Sequence, residues 1–170
     1  MSLSHALSSL QAALRVRSLT SSMLLVTLLG VPGCGSKGAV TLTAQIQNPS
    51  LAVKSVALGT ALEGSFDLLL DLGPEAPKAT TVTPGSFALR NQQSVLVSTL
   101  GVTFSDAPPY EIAVGGSKTI TVTLDASKLV EASVRDALCA GQVSYLATLS
   151  DTLTSNTSTT ESLRFSPNCQ

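Results

Sequence analysis

Asp67 and Asp71 head the short list of residues able to do chemistry in a 170-residue chain that is poor in reactive side chains. Paired carboxylates cleave glycosidic bonds when they stand about 5 to 9.5 Å apart. Here Phe66, Leu68, Leu70 and Leu72 alternate with Asp67, Leu69 and Asp71, so the spacing predicts a strand with both carboxylates on its outward face. Four residues of strand separate them by about 13 Å, and a solvated strand face is the better reading. Asp71, Glu75 and Asp106 would have to gather to hold calcium, and nothing around them has the form of a ligand loop. Serines abound, yet the chain has one His, His5, and no SxxK spacing to support a Ser-Lys mechanism. Asn156-Thr157-Ser158 fits an N-glycosylation acceptor on a surface loop if the host is eukaryotic. Tyr145 falls on the apolar parity of its segment and reads as core rather than ligand contact. No cofactor or metal site is expected.

Ten Lys plus Arg stand against eleven Asp plus Glu, with no block of like charge, so the electrostatic footprint of a nucleic-acid binder is missing. A mean hydropathy of +0.35 with 12% charged residues excludes a chain too polar to bury a core.

Residues 1–33 have the three-part form of a secretion signal: a polar stretch with Arg15 and Arg17, an apolar run from Leu19 to Val31, then small residues. The apolar run is 13 residues, too short for a permanent bilayer span of about 20. Val31-Pro32-Gly33-Cys34 follows, and it resembles the lipobox of bacterial lipoproteins: an aliphatic residue three before the Cys and a small one just before it. Pro32 departs from the usual residue at its position. The resemblance implies a diacylglycerol thioether on Cys34, cleavage before it, and acylation of the new amine. Several chains anchor a protein stably where one does not. Lipoproteins retained at the inner membrane often carry Asp after the Cys; Gly35 stands here, which implies the outer membrane of a diderm host. The alternative is an ordinary signal peptide cut after Gly33, releasing a soluble protein with Cys34 as a thiol. Either cleavage removes His5, Arg15 and Arg17, leaving 137 residues without His or Trp and a net charge of −3.

With Cys34 assigned to lipid, Cys139 and Cys169 remain as an even pair in an exported domain, the usual sign of a disulfide. Val143, Tyr145, Ala147 and Leu149 alternate, Leu163 and Phe165 share one parity, and residues 150–158 between them are polar. A hairpin folded about residue 154 pairs Val143 with Phe165 and Tyr145 with Leu163, and it brings the two cysteines to one end. A catalytic or metal-binding pair fits worse, because the spacing is not CxxC and no His completes a site.

The elements that must position these residues are short and alternating. Val40 to Gln47 reads as a strand ending at Asn48-Pro49, 51–58 as a second, and 66–72 as a third stopped by Gly73-Pro74. Residues 81–90, 94–104 and 111–114 follow, and Thr119 to Leu124 is the clearest strand. Helical spacing occurs once, at Val130, Val134 and Leu138, after Asp125 or Ser127 as cap and before Gly141, predicting a helix over about 127–139. Ser and Thr supply 34 of the last 137 residues, a density that suits solvent-facing strand positions. The whole predicts an all-β fold: an antiparallel immunoglobulin-like sandwich of about 7 to 8 strands, with one helix before the last hairpin. A small barrel is the alternative. Residues 1–33 would be the signal, 34–38 an anchor linker and 39–170 the sandwich. The segments Val40 to Pro49 and Val114 to Val122 also resemble the water-stress domain of late-embryogenesis proteins, which implies a sandwich as well.

These features together point to a lipid-anchored, non-enzymatic envelope protein. It would bind or scaffold through loops or a strand edge, with the membrane as one partner and an envelope protein as another, and without nucleic acid. A small exported hydrolase and an inert protective surface protein are the alternatives.

Overall fold

The computed structural model describes residues 42–170; the signal, Cys34 and the 34–38 linker lie outside the described residues. Ten strands and one helix follow in the order β1 (Leu42–Val56), β2 (Gly59–Leu72), β3 (Thr80–Arg90), β4 (Val95–Val97), β5 (Val102–Phe104), β6 (Tyr110–Ile112), β7 (Ser117–Leu124), α1 (Ala132–Cys139), β8 (Ser144–Asp151), β9 (Thr157–Glu161) and β10 (Asn168–Cys169). One sheet has the order β10-β1-β2-β7-β5; the other has β4-β3-β8-β9, with β6 pairing the start of β3. β1, β2, β7 and β5 take the A, B, E and D places of an immunoglobulin-type sandwich, and β3, β8 and β9 take C, F and G. The expected all-β sandwich is present, with the helix in the crossover between the two sheets. The higher strand count comes from short edge pieces.

Strands run past their sequence signals: β2 begins at Gly59 rather than at residue 66, and β1 passes its expected stop. Asn48-Pro49 does not end the first strand, because β1 continues through a one-residue bulge there. Register shows the insertion: Gln47 pairs with Asp67, but Ser50 pairs with Ser65. Asn48 takes a positive φ of 49°, a conformation that Asn tolerates better than most residues. The extra residue flips parity, so Ile46 before the bulge and Leu51 and Val53 after it all face the core. Residues 42–47 and 51–56 are therefore parts of one strand, and 57–58 form its hairpin turn. β3 uses the same device at Pro84-Gly85-Ser86, where Thr80 and Val82 precede the flip and Phe87 and Leu89 follow it. The predicted 94–104 strand divides: β4 stays beside β3, whereas β5 crosses to the other sheet beside β7.

The inner faces share one core. Phe66 of β2 packs against Tyr145 of β8 and Phe87 of β3, with ring centroids 4.7 and 5.7 Å apart. Leu68, Leu70, Leu72, Ile120, Val122, Leu89 and Leu149 complete it, buried as the alternation requires. Each such side chain contributes about 1.5 to 3 kcal/mol relative to exposure.

The helix begins five residues later than expected. Asp125 caps a turn rather than a helix, its carboxylate accepting from the backbone N–H and hydroxyl of Ser127. Val130 is drawn into the sheet instead, exchanging both backbone hydrogen bonds with Thr60. Only Ala132–Cys139 coils, with Leu138 fully buried.

The last hairpin corrects one pairing. Val143 bridges Phe165 as expected, but the ladder from Leu146–Glu161 to Ser150–Thr157 is offset by one residue. Tyr145 consequently faces Ser162, whose N–H and hydroxyl bond its backbone, and Leu163 is pushed outward to 85% exposure. The residue inserted between the two registers lies at 162–164, where hydrogen bonding to Tyr145 and Val143 prevails over burial of one leucine.

Candidate interaction site

Cys139, at the end of α1, lies at disulfide distance from Cys169 of β10, with Cα atoms 6.1 Å apart. The route differs from a simple hairpin. After the Phe165 bridge the chain leaves this sheet and crosses to the other one, where β10 pairs in parallel with β1, placing Ala52 beside Asn168 and Val53 beside Cys169. Gln170 N–H then donates to the Val53 carbonyl. The C-terminal strand thus covers the β1 edge at Ala52 and Val53.

The upstream half, Leu42 to Gln47, has no ladder partner on that side among the described residues. Its backbone direction follows from one contact: the Thr160 hydroxyl of β9 donates to the Ala44 carbonyl at 2.8 Å, so Ala44 presents its C=O to the open edge. Strand alternation turns the N–H and C=O of Leu42 and Ile46 the same way, while Thr43, Gln45 and Gln47 bond to β2. A groove of about 620 Å³ runs between this edge and β9, lined by Ala44 to Pro49 on one side and Thr160, Glu161 and Leu163 on the other.

The groove carries no unsatisfied charge. Glu161 accepts from Ser144 Oγ at 2.5 Å and stands 3.5 Å from the Arg90 guanidinium. The β1 side chains from Leu42 to Gln47 are all uncharged. Natural sheet edges are commonly blunted by Lys, Pro or brevity. β4 and β5 are three residues long, β10 two, and β9 five with Glu161 at its end, which leaves the six-residue start of β1 as the longer, uncharged edge among the described residues. The sequence signal for it was the lack of charge in Leu42-Thr-Ala-Gln-Ile-Gln47, legible only once the strand is known to lie at an edge.

The carboxylates are placed as a solvated face. Asp67 and Asp71 both lie on the outer side of β2, beside Thr121 and Ser117 of β7 respectively. Asp67 accepts from Asn48 Nδ2 and from Thr121 Oγ1, each at 2.9 Å, and these two hydrogen bonds hold its carboxyl below the usual carboxylate range. It pins the β1 bulge to β2 and β7. Among the described residues no group of three His, Cys, Asp or Glu is placed to hold a metal. Asp106 instead pairs with Lys118 at 3.5 Å. Asn156 is exposed just before β9, and Tyr145 is fully buried. A smaller depression of about 290 Å³ is lined by Asn91, Gln92, Gln93, Ala137 and Gln142 at the helix end. Among the described residues no helix is long and apolar enough to cross a membrane.

No protein-family model, curated protein or solved structure matches the chain.

Proposed function

We propose that the chain is a lipid-anchored envelope protein whose sandwich serves as a non-enzymatic binding or scaffold module. The lipobox-like Val31 to Cys34, set directly after an apolar run, supports the anchor, and Gly35 supports the outer membrane. Residues 34–170 hold no His, which supports the absence of triad chemistry. The observation that carries the binding role is the uncharged upstream edge of β1, without a ladder partner among the described residues, beside the groove lined by Ala44, Ile46 and Leu163. Such edges accept an added strand through backbone hydrogen bonds, while alternate side chains enter the groove.

Intact mass and fractionation of the full chain, with a Cys34→Ser variant beside it, test this reading. A membrane-bound protein beginning at Cys34 with acyl mass added, and a variant lost from the membrane, are expected. An unlipidated mass in the wild type would overturn the anchor. A hydrolytic activity of the purified protein that disappears on Asp67→Asn or Asp71→Asn would overturn the non-enzymatic role.

A further inference from the structure

We propose that the occupant of the groove is a second copy of this chain, with β1 of one copy pairing antiparallel to β1 of the other about a two-fold axis at Ala44. The proposal rests on the reading of this edge as an interaction surface and adds the identity of the partner. The segment is self-complementary about that residue. Ala44 falls opposite the partner's Ala44, and Leu42 falls opposite the partner's Ile46, apolar against apolar on the core-facing side. Thr43 falls opposite the partner's Gln45 on the solvent side, so no like charges meet across the axis.

Backbone direction agrees with the same centre. Leu42, Ala44 and Ile46 point their N–H and C=O outward, as the Thr160 contact fixes for Ala44. A two-fold at Ala44 makes these three the hydrogen-bonded pairs, for about six new bonds. An axis midway between two residues would set outward groups against positions already bonded to β2, and an axis at Thr43 or Gln45 would pair only Leu42 with Ala44 or Ala44 with Ile46 within this segment, for about four bonds. The Ala44 carbonyl keeps a second lone pair beside Thr160 for the incoming N–H. Leu163, 85% exposed on the groove wall, gains apolar cover, and Glu161 is already paired with Arg90 and hydrogen-bonded by Ser144 within its own copy. β10 shows that this edge accepts a strand, since it pairs with Ala52 and Val53, there in parallel. An interface on which each copy offers the same patch closes as a dimer and leaves no edge for further growth.

The register supplies its own test. Thr43 and the partner's Gln45 form a non-hydrogen-bonded pair, with Cα atoms about 4.5 Å apart, within disulfide reach. Full-length Thr43→Cys and Gln45→Cys chains with different tags, expressed together, are expected to form a disulfide-linked heterodimer, and neither variant alone is expected to link efficiently. Both positions are solvent-facing, so the substitutions leave the core untouched. Adding Ala44→Pro to both chains removes only outward N–H groups and is expected to lower the yield at least about tenfold. Equal linking in each single variant, or no link in the mixed pair, would overturn the proposal. If Gln45→Cys linked instead to a different envelope protein, the second copy would be excluded and the binding role would stand. If neither position met any partner, both readings would fall.

Discussion

The phenol of Tyr145, on β8 of one sheet, donates a 2.7 Å hydrogen bond to the carbonyl of Ser50, on β1 of the other. Ser50 is the first residue paired after the β1 bulge, so this contact ties the irregularity of one sheet to the most buried aromatic of the opposite one. Replacing Tyr145 with Phe keeps the ring but leaves that carbonyl without its donor. A loss of about 1 to 2 kcal/mol is expected, read as a fall in Tm of roughly 3 to 8 °C. An unchanged Tm would mean that another donor satisfies Ser50.

Gly64 lies against the same carbonyl. A Cβ at position 64 would run into the Ser50 oxygen and stand 3.0 Å from the Tyr145 hydroxyl. Backbone cannot yield as a flexible side-chain end would. Gly64→Ala is therefore expected to cost about 2 to 3 kcal/mol, more than Tyr145→Phe, in denaturant unfolding. The reverse order would show that β1 relaxes freely at its bulge.

Oxidation of Cys139 and Cys169 closes a 30-residue separation. In the chain-entropy account such a link stabilises by roughly 3 to 4 kcal/mol. Cys139→Ser with Cys169→Ser is expected to lower Tm accordingly and to speed amide exchange at Gln170, whose N–H bonds Val53. Exchange unaltered at Gln170 would show that β10 holds to β1 without the covalent link.

Burial pushes the Tyr145 hydroxyl well above the ordinary phenol range, and burial with the nearby Asp106 carboxylate raises Tyr110. A phenol whose folded pKa is raised stabilises fully below its unfolded value, about 10, and that contribution is lost as pH rises above it. These are the only two tyrosines of the chain. Phenolate absorbance is thus expected to appear together with unfolding, as one cooperative step. A phenolate signal near the ordinary value with circular dichroism intact would contradict the burial argument.

Asp67 behaves oppositely. Its lowered pKa contributes stability above the unfolded value of about 3.9, and the contribution is lost as pH falls through the folded value. Asp67→Asn is expected to flatten the acid limb of a stability–pH profile and to leave the neutral and alkaline regions parallel to wild type. A variant with the same acid slope would shift the cause to other carboxylates.

Local periodicity was sufficient for much of this molecule. The alternation of Phe66, Leu68, Leu70 and Leu72, or of Ile120, Val122 and Leu124, states which side is inward, because side-chain direction in a strand repeats every two residues whatever its partners are. Tyr145 was legible as core and Asp67 as solvent-facing for the same reason, and cysteine parity pointed to the Cys139–Cys169 pair. Tertiary structure decided what such a count cannot contain. The bulges at Asn48-Pro49 and Pro84 to Ser86 reverse parity within one strand because the partner strand keeps its own phase. Val130 left the predicted helix because Thr60, far away in sequence, offered both halves of a backbone bridge. Tyr145 met Ser162 rather than Leu163 because side-chain and backbone hydrogen bonds across the hairpin selected the register. Leu42 to Gln47 lack an edge partner among the described residues because the parallel pairing with β10 begins only at Ala52, a matter of which strands become neighbours, and that is set by packing between distant segments.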